Sequence, residues 1–140
     1  MFGLTNDNIP KESIDNIMNF DKKLNGGKLE KPTLVWFYAD FCGHCHTMYP
    51  VWKEIELNKK LLKKIDILKI ESNQQSELSN DPDIFGFPTL RLYQKNGKVV
   101  EYNNKREVKD IIAFVNSNIK TKQNTKKTKK QVRMRNSKTK

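Results

Sequence analysis

The chain has 140 residues, of which 36% are hydrophobic, and a net charge of +11, so its length fits a single domain. The charge is uneven, because positions 120–140 hold ten Lys or Arg residues and no acidic residue, whereas the first 119 hold 17 basic and 16 acidic residues. No apolar stretch is long enough for a membrane span, and no basic-then-apolar leader begins the chain. We therefore expect a near-neutral domain, residues 1–119, followed by a basic tail, residues 120–140, with no membrane insertion.

The first half of this domain predicts a helix, a buried strand and a second helix. Apolar residues recur at helical spacing within residues 11–24. The continuous apolar run at 34–39 is typical of a central strand that is covered on both faces. A longer helix is expected from about 43 to 64, with a kink at Pro50, which lacks a backbone N–H.

The second half predicts three further strands, at 65–70, 89–93 and 98–102. The last two are expected to form a hairpin around the Asn-Gly turn at 96–97. A short helix is expected within 75–85, and an amphipathic helix at 108–118 closes the domain. This order predicts an α/β fold with a central mixed β-sheet that is flanked by helices on both faces. The basic C-terminal tail has almost no apolar side chains, so we expect it to be disordered.

Both cysteines of the chain lie in the sequence Phe41-Cys42-Gly43-His44-Cys45, where the buried strand meets the next helix. Unpaired amides at a helix start stabilise a thiolate, so Cys42 is the candidate nucleophile. Cys45 lies one turn further in, where it is placed to resolve a mixed disulfide. Gly43 permits the tight turn, and His44 can place a positive charge or a donor beside the Cys42 thiolate. The pattern predicts dithiol–disulfide chemistry.

A structural zinc half-site is the alternative interpretation of this motif. Its ligands would be Cys42 and Cys45, together with His44 or His46. Structural zinc sites usually have four ligands, often from two such pairs, and the sequence contains no second pair. We therefore favour redox chemistry without a metal or another cofactor, and we expect His46 to face solvent.

Residues 36–45 read Trp-Phe-Tyr-Ala-Asp-Phe-Cys-Gly-His-Cys, and Gly-Phe-Pro-Thr follows at 86–89. Together with Pro50, these motifs resemble the thioredoxin superfamily. The Cys-Gly-His-Cys form looks like a single catalytic (a-type) domain of the protein disulfide isomerases. The resemblance covers roughly residues 10–118, and it implies a thioredoxin-like fold and a thiol–disulfide oxidoreductase that acts on protein substrates.

The resemblance also implies roles for individual positions. Cys42 would be the nucleophile and Cys45 the resolving thiol. Pro88 would be the cis-proline that faces the disulfide, which leaves the backbone of Phe87 free to pair with an extended substrate. Arg106 matches an arginine that swings towards the active site and lowers the pKa of the second cysteine; a solvated arginine at a helix start is the alternative.

The sequence departs from the family pattern at two positions near the motif. Trp36 stands where the family usually has a buried acid that accepts the proton of the second cysteine. Lys69 matches a lysine that the family places below the active site, and without that acid it is expected to reach solvent. Cys45 would then lose its proton more slowly, to water or to Lys69 when neutral. Phe41 replaces the usual Trp and keeps an aromatic platform for substrate.

These observations leave three interpretations of function. The first is an isomerase-like or oxidase-like enzyme that acts on protein thiols and disulfides. The second is a cytosolic thioredoxin-type disulfide reductase, because the lack of a leader suggests a reducing compartment. The third, of another class, is a protein tethered to nucleic acid or another polyanion through residues 120–140. We expect a monomer, located in the cytoplasm or inside a cytoplasmically assembled virus particle.

Overall fold

The computed structural model describes residues 8–80 and 82–119. Within these ranges, four strands form one mixed sheet in the order β2-β1-β3-β4. The strands are β1 (Thr33–Tyr38), β2 (Asp66–Glu71), β3 (Thr89–Tyr93) and β4 (Val99–Glu101). Strand β1 is parallel to β2 and antiparallel to β3, and β3 is antiparallel to β4. The predicted mixed sheet is confirmed, whereas the predicted disorder of residues 120–140 lies outside the described residues.

Four α-helices accompany the sheet in the described part of the chain: α1 (Ile14–Leu24), α2 (Gly43–Glu56), α3 (Lys59–Leu62) and α4 (Val108–Ile119). The helix predicted at 43–64 is thus two helices. Helix α2 continues through Pro50, and a new N-cap starts α3, since the side chain of Asn58 accepts a hydrogen bond from the Leu61 amide at 3.0 Å. Among the described residues, no helix is both long enough and apolar enough to cross a bilayer.

The short helix expected within 75–85 lies earlier in the structure, as a 3₁₀ helix at Ser72–Glu77. A capping box fixes its start, because the Glu71 side chain accepts from the backbone while the Gln74 side chain accepts from the Glu71 amide. The helix ends at Leu78, whose backbone is extended and whose amide donates to the Gln75 carbonyl at 3.0 Å. The helix thus begins before the predicted range and overlaps only its first three residues, 75–77.

The hairpin predicted around residues 96–97 is confirmed. The amide of Gln94 donates to the Lys98 carbonyl at 2.8 Å, and the Gly97 amide donates to the Gln94 carbonyl at 3.0 Å. Gly97 has a φ of +92°, a value that side-chain-bearing residues rarely adopt. The Asn-Gly pair therefore supplies the backbone conformation that this turn requires.

Strand β1 is buried along its whole length, and its alternate residues enter two cores. One face contributes to a core with α2 and α4, and the other to a core with α1 and β2. The first core includes Trp36, Tyr38, Cys45 and Trp52. Because β1 is held on both faces, the loop that follows it and the first turn of α2 occupy a fixed place at one edge of the sheet. The two cysteines lie there.

Candidate active site at the start of helix α2

Cys42 caps the N-terminus of α2. Its Sγ accepts a hydrogen bond from the Cys45 amide at 3.1 Å, and its carbonyl accepts from the amides of Cys45 and His46 at 3.2 Å. Both cysteines are free thiols; Cys42 is partly exposed and Cys45 is buried. Amide donors and the helix dipole favour negative charge at the Cys42 sulfur. The predicted division between an accessible first thiol and a buried second thiol is therefore present in the geometry.

The buried thiol of Cys45 has a strongly perturbed pKa. Burial, followed by its hydrogen bond with Cys42, raises the pKa of Cys45 from 9.0 to about 12. The backbone of Ala39 and the positive charge of Arg106 act in the opposite direction and lower this pKa. Cys45 therefore holds its proton at neutral pH. Arg106 is exposed, yet it lies close enough to Cys45 to favour its thiolate.

This raised pKa predicts that the reduced protein loses stability in alkaline solution. Above pH 9 the unfolded chain releases the Cys45 proton, while the folded protein keeps it until about pH 12. The free energy of unfolding should therefore fall as the pH rises through this window. Urea unfolding under reducing conditions should show wild type losing about 1 kcal/mol more than Cys45→Ala between pH 9 and 10. Equal losses in the two proteins would contradict the assignment.

The loop before Cys42 is held by a buried carboxylate that the sequence analysis missed. Glu71, at the end of β2, is 1% exposed. Its carboxylate accepts from the amides of Asp40 at 3.2 Å and Asn73 at 2.8 Å, and from the hydroxyl of Ser72 at 2.9 Å. Burial raises the pKa of Glu71, but these hydrogen bonds outweigh it and hold the pKa below the ordinary value. An ionised group thus fixes the backbone two residues before the nucleophile.

The two histidines of the motif lie in different surroundings. His44 is exposed on the first turn of α2. His46 is half-buried, and its Nε2 lies 2.7 Å from the carbonyl oxygen of Asp40, which accepts a hydrogen bond when that nitrogen is protonated. His46 is thus partly exposed, as expected of a residue on the solvent side of the helix, and its ring also contacts the loop before Cys42. The Asp40 carboxylate is paired with Lys11 at 3.3 Å, which offsets its negative charge near Cys42.

The structure brings Phe41 and Phe87 together beside the motif. Their rings meet edge to face with centroids 6.4 Å apart, and Phe41 is 81% exposed. The Phe87–Pro88 peptide bond is cis. Phe85, which the sequence analysis did not single out, is 95% exposed and lies two residues before Phe87. Large apolar side chains exposed in this way are typical of binding surfaces.

Pro88 and Arg106 also lie together, in the wall of one cleft of about 290 Å³. Met48, from the second turn of α2, lines the same cleft, as does Asn104 from the loop before α4. The two residues that were predicted from distant parts of the sequence thus share one surface. None of the ion pairs among the described residues involves Arg106.

Trp36 shares the core that contains Cys45 and is surrounded by aromatic side chains. It is fully buried, and its ring lies against Tyr38, Trp52 and Tyr49 with centroids at 4.7, 5.4 and 6.3 Å. Burial, together with the charge of Asp40, raises the pKa of Tyr38. None of these side chains is a carboxylate that could take a proton from Cys45.

Lys69 lies opposite Trp36 in the parallel register of β1 and β2. Its side chain is 12% exposed, and its Nζ lies 3.6 Å from Oε2 of Glu56. The expectation that Lys69 reaches solvent is therefore wrong, because the last residue of α2 supplies a partner. Glu56 and Cys45 are eleven positions apart in this helix, which separates them by roughly 16 Å. The ion pair thus directs Lys69 to the far end of α2, and its part in proton transfer stays a prediction.

Comparisons with known proteins agree with this geometry. The family model described as Thioredoxin matches residues 13–117. The chain belongs to the thioredoxin family. Among the described residues, no group of three or more His, Cys, Asp or Glu side chains is placed to hold a metal ion.

Several relatives of this thioredoxin-family chain are named as disulfide isomerases. It is 33% identical over 87 residues to a probable protein disulfide-isomerase A6 of Medicago sativa, covering 61% of this chain and 24% of that protein. It is 30% identical over 112 residues to protein disulfide-isomerase 1 of Dictyostelium discoideum, covering 78% and 30%. The first thioredoxin domain of mouse protein disulfide-isomerase A4 matches with 26% identity, a TM-score of 0.56 and 84% coverage of both chains. The chain thus spans about a quarter to a third of the two relatives' length.

Proposed function

We propose that this thioredoxin-family chain is a thiol–disulfide oxidoreductase that acts on polypeptide substrates through Cys42 and Cys45. One observation carries the proposal: the partly exposed thiol of Cys42 caps helix α2, and its sulfur accepts a hydrogen bond from the backbone amide of the buried Cys45. The similarity to proteins named disulfide isomerases supports an isomerase-like or oxidase-like direction. A thioredoxin-type reductase is the alternative within the same chemistry.

The proposed reaction moves two electrons between the protein and a substrate. The Cys42 thiolate attacks one sulfur of a substrate disulfide, so a mixed disulfide forms and the other substrate sulfur leaves as a thiolate. Cys45 then gives up its proton to solvent and attacks the Cys42 sulfur. This step forms the Cys42–Cys45 disulfide and releases the second substrate thiol. The reverse sequence oxidises a substrate dithiol, and attack by another substrate thiol on the mixed disulfide rearranges the substrate instead.

The surroundings of the motif suggest how these steps are assisted. Gly43 leaves the first turn of α2 open, and His44, exposed two residues after Cys42, would supply a positive charge or a donor to the Cys42 sulfur. The positive charge of Arg106 lowers the pKa of Cys45, which favours the thiolate needed for the second attack. Lys69 is retained as a proton-transfer candidate, acting once it leaves its ion pair with Glu56.

The substrate would bind as an extended chain across the surface around Cys42. Phe41 and Phe87 form an aromatic contact that is largely open to solvent, which suits apolar side chains next to a substrate cysteine. The loop that carries Pro88 would pair with the substrate backbone through Phe87. A polypeptide therefore fits this surface better than a small thiol.

The reduction potential of the Cys42–Cys45 pair tests the proposed direction. Equilibration against glutathione, followed by thiol alkylation and mass spectrometry, gives this value. A potential near about −180 mV is expected for an isomerase, whereas about −270 mV would identify the reductase. The absence of any reversible couple would reject both forms of the proposal.

The basic tail is a second candidate for function, of another class. Residues 120–140 carry ten positive charges and no aromatic residue. Such a segment suits sequence-independent contacts with a polyanion, whose strength falls steeply with salt. We propose that it tethers the enzyme to nucleic acid, in the cytoplasm or within a cytoplasmically assembled virus particle. The monomeric state is part of the same proposal.

A further inference from the structure

A second cleft of about 290 Å³ lies at the end of the sheet opposite to the two cysteines. Its polar walls combine ammonium groups with side-chain amides, from Lys64, Lys95, Lys98, Gln94, Asn96 and Asn118. None of the described residues that line it is acidic. Among the ion pairs of the described residues, none includes any of its three lysines. The cleft therefore gathers three ammonium groups that form no ion pair within the described part of the chain.

The fold builds this cleft from three separate segments. Lys95 and Lys98 flank the tight turn between β3 and β4, where Gly97 has its positive φ. Lys64 comes from the loop that leads into β2, and its Nζ donates to the side chain of Asn116 at 3.3 Å. Asn118 lies near the end of α4. The hairpin and the loop thus hold the three ammonium groups on one surface, beside the side-chain amide that the helix supplies.

Lysine ammonium groups and side-chain amides are the donors that commonly contact the phosphates of nucleic acids. Ile119, the last described residue, lines the same cleft, and the next 21 positions of the sequence contain ten Lys or Arg residues. The last described residue therefore lies in the wall of a basic cleft, and the basic positions of the sequence follow it directly. We propose that the cleft is a binding site for the sugar–phosphate backbone of nucleic acid; the choice of nucleic acid as the ligand rests on the proposed tether by the tail.

This site is spatially separate from the thiol chemistry. Strand β1 begins at Thr33, next to Pro32 in the wall of the cleft, and ends at Tyr38, four residues before Cys42. A strand of six residues spans about 20 Å. Nucleic acid held in the cleft would therefore leave the active-site surface open to a polypeptide substrate, so the enzyme could work while bound.

The salt dependence of binding by the full-length protein tests this inference. Fluorescence anisotropy with a labelled DNA duplex, at about 50 to 200 mM NaCl, gives the slope of log K against log salt. The test variant is Lys64→Gln/Lys95→Gln/Lys98→Gln. The matched control, Lys22→Gln/Lys23→Gln/Lys109→Gln, removes the same charge from exposed positions outside the cleft.

We expect the cleft variant to bind more weakly and its slope to shrink by about 2 to 3, since each phosphate contact contributes about 0.9. The control should keep the wild-type slope, and both variants should keep wild-type thermal unfolding and disulfide exchange. An unchanged slope in the cleft variant, or an equal decrease in the control, would overturn the site while leaving the tether by the tail intact. Tighter binding to poly-glutamate or to phosphatidylserine vesicles than to the duplex would overturn the assignment of the ligand.

Discussion

Replacing Cys42 with serine is expected to reduce disulfide exchange to the uncatalysed rate. The thiolate is the attacking group in exchange, and Cys42 is the partly exposed thiol of the pair, whereas Cys45 is buried. A serine hydroxyl does not ionise near neutral pH, so no mixed disulfide can form at this position. The turnover of insulin disulfides with glutathione as the reductant measures the effect.

Serine is also a matched control for structure at this position. Its hydroxyl can accept a hydrogen bond from the Cys45 amide, as the Cys42 sulfur does. Serine is also a favoured N-cap residue. Helix α2 should therefore form normally, and thermal unfolding of the variant should stay close to that of the reduced wild type. Full activity in Cys42→Ser would refute the mechanism, whereas loss of activity together with loss of the fold would call for Cys42→Ala in its place.

The central elements of the fold could be predicted because their signals are local. The apolar run of β1 admits few placements other than a strand buried on both faces. The Asn-Gly turn determines the hairpin through the φ of Gly97. The N-cap position of Cys42 likewise follows from the junction of that strand with a helix. Each of these features depends on neighbouring residues in the sequence.

The features that sequence reasoning missed depend on distant pairs of residues. Glu71 reaches the amide of Asp40 across 31 positions, and no local pattern connects them. Lys69 was expected to reach solvent because the family's acid is absent, but Glu56 reaches it from the end of a neighbouring helix. Such contacts follow from how the elements pack, which a single sequence does not specify. The misplaced short helix is different, since the Glu71 and Gln74 capping box was a readable local signal.

The departure at Trp36 changes which groups can control the second thiol. Where the family usually has an acid, this chain has an aromatic cluster, and burial raises the pKa of Cys45 to about 12. The positive charge of Arg106 acts against this rise. Formation of the Cys45 thiolate should therefore be a slow step, and its rate should depend on Arg106, which lies in the wall of the cleft that also contains Pro88.

Replacing Cys45 with serine is expected to trap mixed disulfides between Cys42 and its substrates. In this variant Cys42 still attacks, but the protein has no second thiol that could displace the substrate. The complexes should persist from minutes to hours, as uncatalysed disulfide rearrangement does. Non-reducing electrophoresis and mass spectrometry of the trapped species measure the yield and identify the partner thiols.

The double variant Cys42→Ser/Cys45→Ser is the matched control for this experiment, because it carries a hydroxyl at both positions and has no thiol. It should trap nothing. Equal yields of complexes from Cys45→Ser and wild type would show that Cys45 does not resolve them. Complexes that form in Cys42→Ser instead would reverse the assignment of the two thiols, against their observed exposure.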